Sequence, residues 1–196
     1  MRSPHLYSIA ALCLALGLSA CGGKESFSVS GTINRLDYAG LVLANGNDTV
    51  RPEINATNFT FPNRIDYGTE YNVTIQTPPQ HMNCKVAANG KGSAGRTAVI
   101  KATVTCAVDT HTVGGTITGL TGAGLELING NDNVAPAADA TTFTFPKQVA
   151  FGQTYGVRVK TQPAGQTCTV PNDEVTMGDK DVANIVVTCE TTTPST

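Results

Sequence analysis

The chain has 196 residues, a formal net charge of −2 and 14% charged residues, and it contains no Trp. Its charges are mixed along the chain and form no basic stripe, which argues against nucleic acid as a partner. Thr, Val, Gly and Asn are frequent and no stretch has helical periodicity, so the composition favours strands and turns over helices.

The chain opens with a short apolar segment. Arg2 gives it a positive start, and residues 6–18 are mostly apolar. At about thirteen residues, this stretch is too short for a membrane span of ~20 residues and is typical of a signal peptide. The segment ends in Leu18-Ser19-Ala20-Cys21. We therefore predict a signal peptide over residues 1–20.

This ending resembles the lipobox of bacterial lipoproteins. The resemblance implies cleavage before Cys21, which then carries a diacylglyceryl group and usually a third acyl chain such as palmitate. Gly22 follows where an Asp would indicate retention in the inner membrane, so the resemblance implies the outer membrane. Residues 21–27 would form a lipidated tether. The alternative is an ordinary secretory signal cut near Ala20, with Cys21 left as a free thiol.

The rest of the chain is a repeat. Residues 28–84 align without a gap on residues 112–168, at a constant offset of 84. A period this long predicts two complete domains in tandem, because solenoid units are shorter. We place the domains at residues 28–108 and 111–190, followed by a disordered tail at 191–196.

Each repeat has the short alternating segments and turn signals of β-strands. In repeat one we predict strands near 28–34, 40–44, 58–61, 71–77, 83–87 and 98–107. In repeat two we predict them near 112–118, 124–128, 142–145, 155–161, 167–170 and 182–190.

Four cysteines remain once Cys21 is assigned to lipid. We predict intradomain bridges, Cys84 with Cys106 and Cys168 with Cys189, because each repeat holds two cysteines and an exported protein meets an oxidising compartment. Four cysteines allow two other connectivities, and pairing across the repeats stays open at this point. The spacing is not that of a zinc site, so no metal is predicted.

The repeated pattern resembles a tandem module common in bacterial envelope and surface proteins. The resemblance is carried in repeat two by Val113-Gly114-Gly115-Thr116-Ile117, Phe143-Thr144-Phe145, Gly152 with Tyr155, and Val187-Thr188-Cys189. It implies an all-β protein with two tandem immunoglobulin-like β-sandwich domains, each holding one disulfide. The family has no general catalytic residues, so the resemblance supplies none.

The motif Asn-Gly-Asn-Asp occurs once in each repeat. Asn45 and Asp48, and likewise Asn129 and Asp132, could offer oxygen ligands to calcium or to another ligand. Asn-Gly is also a strong hairpin signal, which is the interpretation we favour.

Other candidate residues give weaker signals. The glycine-rich segment 89–95 has the wrong order for a phosphate-binding loop and is predicted to be a flexible surface loop. His81 and His111 belong to no recognisable catalytic motif. Exposed aromatic side chains commonly bind carbohydrate, and the candidates here are Tyr38, Tyr67 and Phe151.

The sequence thus predicts a non-catalytic, lipid-anchored protein of the cell envelope that acts as a structural or interaction module. No cofactor is expected. The expected partners are the membrane, through the lipid, and envelope proteins or glycans. The alternative function is an adhesin or ligand-binding surface lipoprotein that holds a carbohydrate or a protein.

Overall fold

The computed structural model describes residues 25–171 and 174–192. The predicted signal peptide, the predicted lipidation residue Cys21 and the first part of the predicted tether lie outside these residues. The strands of repeat one are β1 (Ser26–Asn34), β2 (Val42–Asn45), β3 (Asp48–Val50), β4 (Asn58–Asp66), β5 (Glu70–Thr77), β6 (Met82–Val86), β7 (Lys91–Ser93) and β8 (Ile100–Val108).

Repeat two has the same order of strands in shorter pieces. Its strands are β9 (Thr110–His111), β10 (Val113–Thr118), β11 (Glu126–Asn129), β12 (Asp132–Val134), β13 (Thr142–Thr144), β14 (Val149–Ala150), β15 (Thr154–Tyr155), β16 (Val157–Thr161), β17 (Gln166–Thr169), β18 (Val175–Thr176) and β19 (Val182–Thr191). The described part of the protein is therefore all-β, apart from one 3-10 turn at Ala88–Gly90.

Repeat one consists of two four-stranded sheets, with strand orders β4-β1-β8-β6 and β3-β2-β5-β7. β1 is antiparallel to β4, but it lies parallel to β8 from Val29 opposite Ile100 to Asn34 opposite Thr105. Apolar residues alternate along these strands, which gives each sheet one buried face and one exposed face. The result is a β-sandwich-like arrangement.

Repeat two repeats this topology. Its larger sheet has the order β13-β10-β19-β17, with β10 parallel to β19. The opposing side is divided into a three-stranded sheet, β12-β11-β16, and the short pair β15-β18. A further short pair, β14-β9, forms where repeat two begins.

The buried side chains form two separate clusters. One draws only on residues of repeat one, from Phe27 to Cys106, and the other only on residues of repeat two, from Val113 to Cys189. In each cluster, two phenylalanines that lie two residues apart in the chain meet edge to face, at centroid distances of 5.8 Å and 5.9 Å. Each repeat thus buries its own core.

One repeated glycine allows the parallel partner strand to approach closely. A Cβ at Gly31 would come within 2.2 Å of the Ala102 carbonyl oxygen and 2.5 Å of the Phe59 ring. A Cβ at Gly115 would come within 1.8 Å of the Ile185 carbonyl oxygen. The close approach of the neighbouring backbone therefore explains why glycine precedes Thr-Ile in both repeats, and in repeat one the Phe59 ring adds to it.

The two disulfides join Cys84 to Cys106 and Cys168 to Cys189, which is the pairing expected from the sequence. In both cases the cysteines are direct cross-strand partners, in β6–β8 and in β17–β19. Bridges over separations of 22 and 21 residues each contribute on the order of 3 kcal/mol to stability in the chain-entropy model. Each bridge therefore ties the last strand of its repeat to the neighbouring edge strand of the same sheet.

The ends of the described chain differ from the prediction. β1 begins at Ser26, inside the segment predicted as tether, because Phe27 is buried in the core of repeat one. β19 continues through Thr191, the first residue of the predicted tail, because Gln166 of β17 still pairs with it. Residues 193–196 lie outside the described part of the chain.

The glycine-rich segment is not a simple surface loop. Residues 88–90 form the 3-10 turn, and β7 follows as an edge strand paired with β5. Gly90 and Ala94 are buried, which holds the segment against the sandwich. Within residues 25–171 and 174–192, no helix is both long and apolar enough to cross a bilayer.

Candidate functional site

The Asn-Gly-Asn-Asp motifs form the turns of two hairpins. Asn45 pairs with Asp48 across β2 and β3, and Gly46 stands at the first turn position with φ of 61°. Repeat two has the same geometry, with φ of 57° at Gly130. Glycine is needed at this position because side chains disfavour positive φ. Asn45 itself is the last strand residue, not a corner of the turn.

The motif side chains bind neighbouring backbone. Asn45 Oδ1 accepts a hydrogen bond from Asn72 N at 2.9 Å, and Asp48 Oδ2 accepts one from Asn63 N at 3.0 Å. The motif therefore ties its hairpin to β5 on one side and to β4 on the other.

The equivalent contacts recur in repeat two. Asn129 Oδ1 accepts from Gly156 N at 3.0 Å, and Asp132 Oδ2 accepts from Lys147 N at 2.9 Å. Asp132, which is only 9% exposed, also accepts from Asn133 N at 3.1 Å. These oxygens are engaged in holding strands together. Among the described residues, no three His, Cys, Asp or Glu side chains converge on a point where they could hold a metal ion.

A cluster of four side chains joins the two repeats, and we name it the junction cluster: Tyr38, His81, Phe151 and Asp179. The His81 ring stacks on the Phe151 ring with centroids 3.7 Å apart and an interplanar angle of 3°. Tyr38 meets both rings edge-on, at 5.3 Å from His81 and 5.6 Å from Phe151. His81 Nδ1 lies 2.5 Å from Asp179 Oδ1 and forms a hydrogen bond with it.

Backbone hydrogen bonds reinforce the same contact. Asp109, between β8 and β9, donates its N–H to the His81 carbonyl at 2.9 Å. Its own carbonyl accepts from Phe151 N, also at 2.9 Å. The single residue that connects the repeats is therefore bonded to both of them, and almost no flexible linker remains.

A second histidine and a carboxylate stand beside the junction. Asp181 Oδ1 accepts from Thr112 N at 2.7 Å and lies 3.8 Å from His111 Nδ1. The hydrogen bond from Thr112, with a smaller contribution from His111, lowers the pKa of Asp181 below its ordinary value of 3.8. Asp181 thus fixes the start of repeat two against the loop that precedes β19.

Sequence reasoning did not find the junction cluster. The sequence places His81 in no recognisable motif and offers Tyr38 and Phe151 as possible sugar contacts. The structure packs these three rings together. Of the three aromatic candidates, Tyr67 has the exposed side chain, at 68% exposure. The available signal was that Tyr38 and His81 depart from the repeat, since their equivalents 84 residues later are Gly122 and Gly165.

Repeat two also holds an open cleft of about 510 Å³ beside its Asn-Gly-Asn-Asp turn. Its wall includes Tyr155, and an ion pair joins Arg158 Nη2 and Glu174 Oε1 at 3.1 Å across its rim. Asn131 and Gln153 add amide groups. The predicted residues Asn129 and Asp132 line this cleft, but they contact backbone amides through their side-chain oxygens.

Comparison with known proteins leaves the family open. No protein-family model matches the chain, and no curated protein matches it. Among solved structures, the shaft pilin spaA of Lactobacillus rhamnosus GG covers 87% of this chain and 100% of its own, at 12% identity and a TM-score of 0.33. The major pilin protein (T-13) of Streptococcus pyogenes serotype GAS131465 covers 87% and 98%, at 12% identity and a TM-score of 0.27. TM-scores this low do not establish a shared fold.

We predict that the motif aspartates act in stability. Asp132→Ala removes the acceptor of two backbone amides at a buried position, and we expect it to lower the free energy of unfolding of repeat two by about 2–3 kcal/mol. Asp48→Ala removes one such bond at a less buried site and should cost repeat one about 1–2 kcal/mol. Urea unfolding monitored by circular dichroism measures both.

The matched control is Asn131→Ala, an exposed change in the same turn, which should alter stability by less than about 0.5 kcal/mol. Equal effects of Asp132→Ala and Asn131→Ala would contradict the structural role of the aspartate.

Proposed function

We propose that the protein is a lipid-anchored, non-catalytic component of the bacterial outer membrane. Two immunoglobulin-like β-sandwich domains, residues 28–108 and 111–190, form one rigid spacer and interaction module. The support for the anchor is the signal segment and the Leu18-Ser19-Ala20-Cys21 ending. Gly22 at the next position supports the outer membrane as the destination.

The observation that carries the spacer role is the junction cluster. An edge-to-face aromatic pair such as Tyr38 with Phe151 contributes about 0.5–1.5 kcal/mol beyond its buried area. Three ring pairs and one charged hydrogen bond meet here, around a connecting residue bonded to both sides. Such a contact favours one fixed orientation of the repeats over free motion about a linker.

Several groups that could do acid–base chemistry have structural partners, which supports a non-catalytic role. His81 is stacked and bonded to Asp179, and Asp48 and Asp132 accept backbone amides. The other lowered pKa belongs to Glu126, whose carboxylate is held mainly by a hydrogen bond from Lys160 and secondarily by one from Asn133. Glu126 stands at the surface of β11, where these bonds link neighbouring strands.

Lipidation is tested by metabolic labelling. Cells that express the protein and grow on an alkyne-bearing palmitate analogue should label the wild type and place it in the membrane fraction. Cys21→Ala should remove both the label and the membrane retention, since the thiol is the acyl acceptor. Cys13→Ala is the matched control, because Cys13 would leave with the signal peptide and the label should persist. Label retained by Cys21→Ala, or unlabelled wild type released to the medium, would refute the anchor.

The rigid junction is tested by small-angle X-ray scattering of the unacylated protein. Phe151→Ala removes the stack on His81 and should increase the radius of gyration and broaden the distance distribution, because the repeats then move independently. Tyr67→Ala changes the equivalent position of repeat one and should leave the scattering unchanged. A Phe151→Ala profile that overlays the wild type would show that the rings do not fix the orientation.

The cleft of repeat two favours a second function, that of a ligand-binding surface lipoprotein. A volume of about 510 Å³ is within the usual range for small-ligand sites, roughly 300–1,000 Å³. An aromatic wall with amide and charged side chains suits a saccharide, which offers apolar ring faces and many hydroxyls. The lining that could contact a saccharide includes Tyr155, Asn131 and the ion pair of Arg158 with Glu174. The side-chain oxygens of Asn129 and Asp132 already accept backbone amides.

A glycan array probed with the soluble protein tests this second function. Saturable binding by the wild type that Arg158→Ala weakens at least tenfold would support it. Arg51→Ala, an exposed arginine of repeat one, is the matched control and should bind as the wild type does. Absence of wild-type binding, or equal binding by Arg158→Ala, would exclude the cleft as a saccharide site.

A further inference from the structure

The end of repeat one at which β1 begins is the one nearest along the chain to Cys21, and we name it the proximal end: Phe27, Tyr67, Gly95 and Val99. β1 begins here at Ser26, and β8 begins beside it because the two strands are parallel. β4 is antiparallel to β1 and therefore ends here, at Asp66. Tyr67 follows β4 and Val99 precedes β8, so both lie at the end of the repeat where β1 begins.

This end carries the two most exposed large apolar side chains of the described residues, Tyr67 at 68% and Val99 at 56%. Tyr67 is held in place although it is open. Its backbone N donates to Glu25 O at 3.0 Å, and its ring lies 6.4 Å from the buried Phe27 ring. The ring also lies so close to Gly95 that a Cβ there would stand 2.3 Å from it. The Tyr67 side chain is therefore exposed to solvent but held in position by these contacts.

The repeat offers an internal comparison for this projection. Tyr67 and Phe151 are equivalent at the offset of 84. Phe151 is covered by Tyr38 and His81 of the preceding repeat. Only residues 22–25 separate Cys21 from β1, which is too few for a domain that could cover Tyr67 in the same way.

The length of the tether limits what that can be. Cys21 stands four residues before Glu25, a reach of at most about 14 Å for a fully extended chain. The headgroup layer of one leaflet is itself roughly 5–8 Å deep. With Cys21 acylated at the membrane surface, the start of the described chain at Glu25 cannot lie more than about 14 Å from that surface.

The chemistry of this end suits an uncharged interface. Tyrosine is enriched at the boundary between lipid and water, because its ring is apolar and its hydroxyl stays hydrated. The charged residues in the segments that form this end are of both signs: Arg64, Arg96, Glu25, Asp66 and Glu70. Attraction to this surface should therefore depend little on anionic lipid.

We propose that the proximal end of repeat one rests on the phospholipid headgroup layer, with the Tyr67 ring in the interface, so that the two repeats project from the membrane in a preferred orientation. The proposal rests on the lipid anchor proposed above.

The test uses the acylated full-length protein in phosphatidylcholine vesicles. The chain has no Trp, so Tyr67→Trp introduces a single indole whose depth can be measured. Its fluorescence should shift to the blue on reconstitution and be quenched by a phospholipid spin-labelled at the headgroup. Val175→Trp, at an apolar position of repeat two with 43% exposure, is the matched control. We expect at least a threefold difference in quenching between the two variants.

The outcomes separate the two proposals. Mass spectrometry first establishes acylation of Cys21, and its absence would overturn both the anchor and the membrane contact. Acylated protein whose indole at position 67 is quenched no more than the one at position 175 would overturn the contact and leave the anchor standing. Quenching that requires anionic lipid would overturn the uncharged interface argued here. Strong selective quenching in phosphatidylcholine alone supports the proposal.

Discussion

In each repeat the first long strand, β1 or β10, lies parallel to the last, so the chain enters at one end of the sandwich and leaves at the other. Six residue pairs join β1 to β8, and β10 and β19 have the same relation. Strands rise about 3.3 Å per residue, so the nine residues of β1 separate the two ends of repeat one by roughly 30 Å. This pairing places the proximal end, the junction and the end of repeat two in a row.

The junction follows from that order, and it also makes the two repeats unequal. The end of repeat one that meets repeat two carries Tyr38 and His81, while the equivalent positions of repeat two are Gly122 and Gly165. The other end carries an aromatic residue in both repeats, Tyr67 and Phe151. A third module could not dock on repeat two through the same rings. The contact is therefore specific to this pair and is not a repeating joint.

Much of the strand pattern could be predicted because it is local. Alternation of Tyr71, Val73 and Ile75 with polar neighbours indicates one buried face, and the structure agrees. The cysteine pairing followed from two cysteines in each repeat.

The parallel partner of β1 could not be predicted, since alternation fixes the face of a strand and not its neighbour. The junction cluster could not be predicted for a related reason: His81 and Asp179 are 98 residues apart and belong to no periodic pattern. The roles of Asn45 and Asp48 depend on amides of strands that follow much later.

The same parallel pairing determines how the proposed spacer would respond to tension. A pull toward the anchor acts on the start of β1, and a pull from repeat two acts on the end of β8. The two strands are then drawn past each other along their lengths, so all the hydrogen bonds between them resist together instead of opening one by one.

Cys106 lies near the end of β8 that is pulled, and its bridge to Cys84 ties that end covalently to β6. The disulfide thus reinforces the strand through which a load between the membrane and repeat two must pass, and Cys189 reinforces β19 in the same manner.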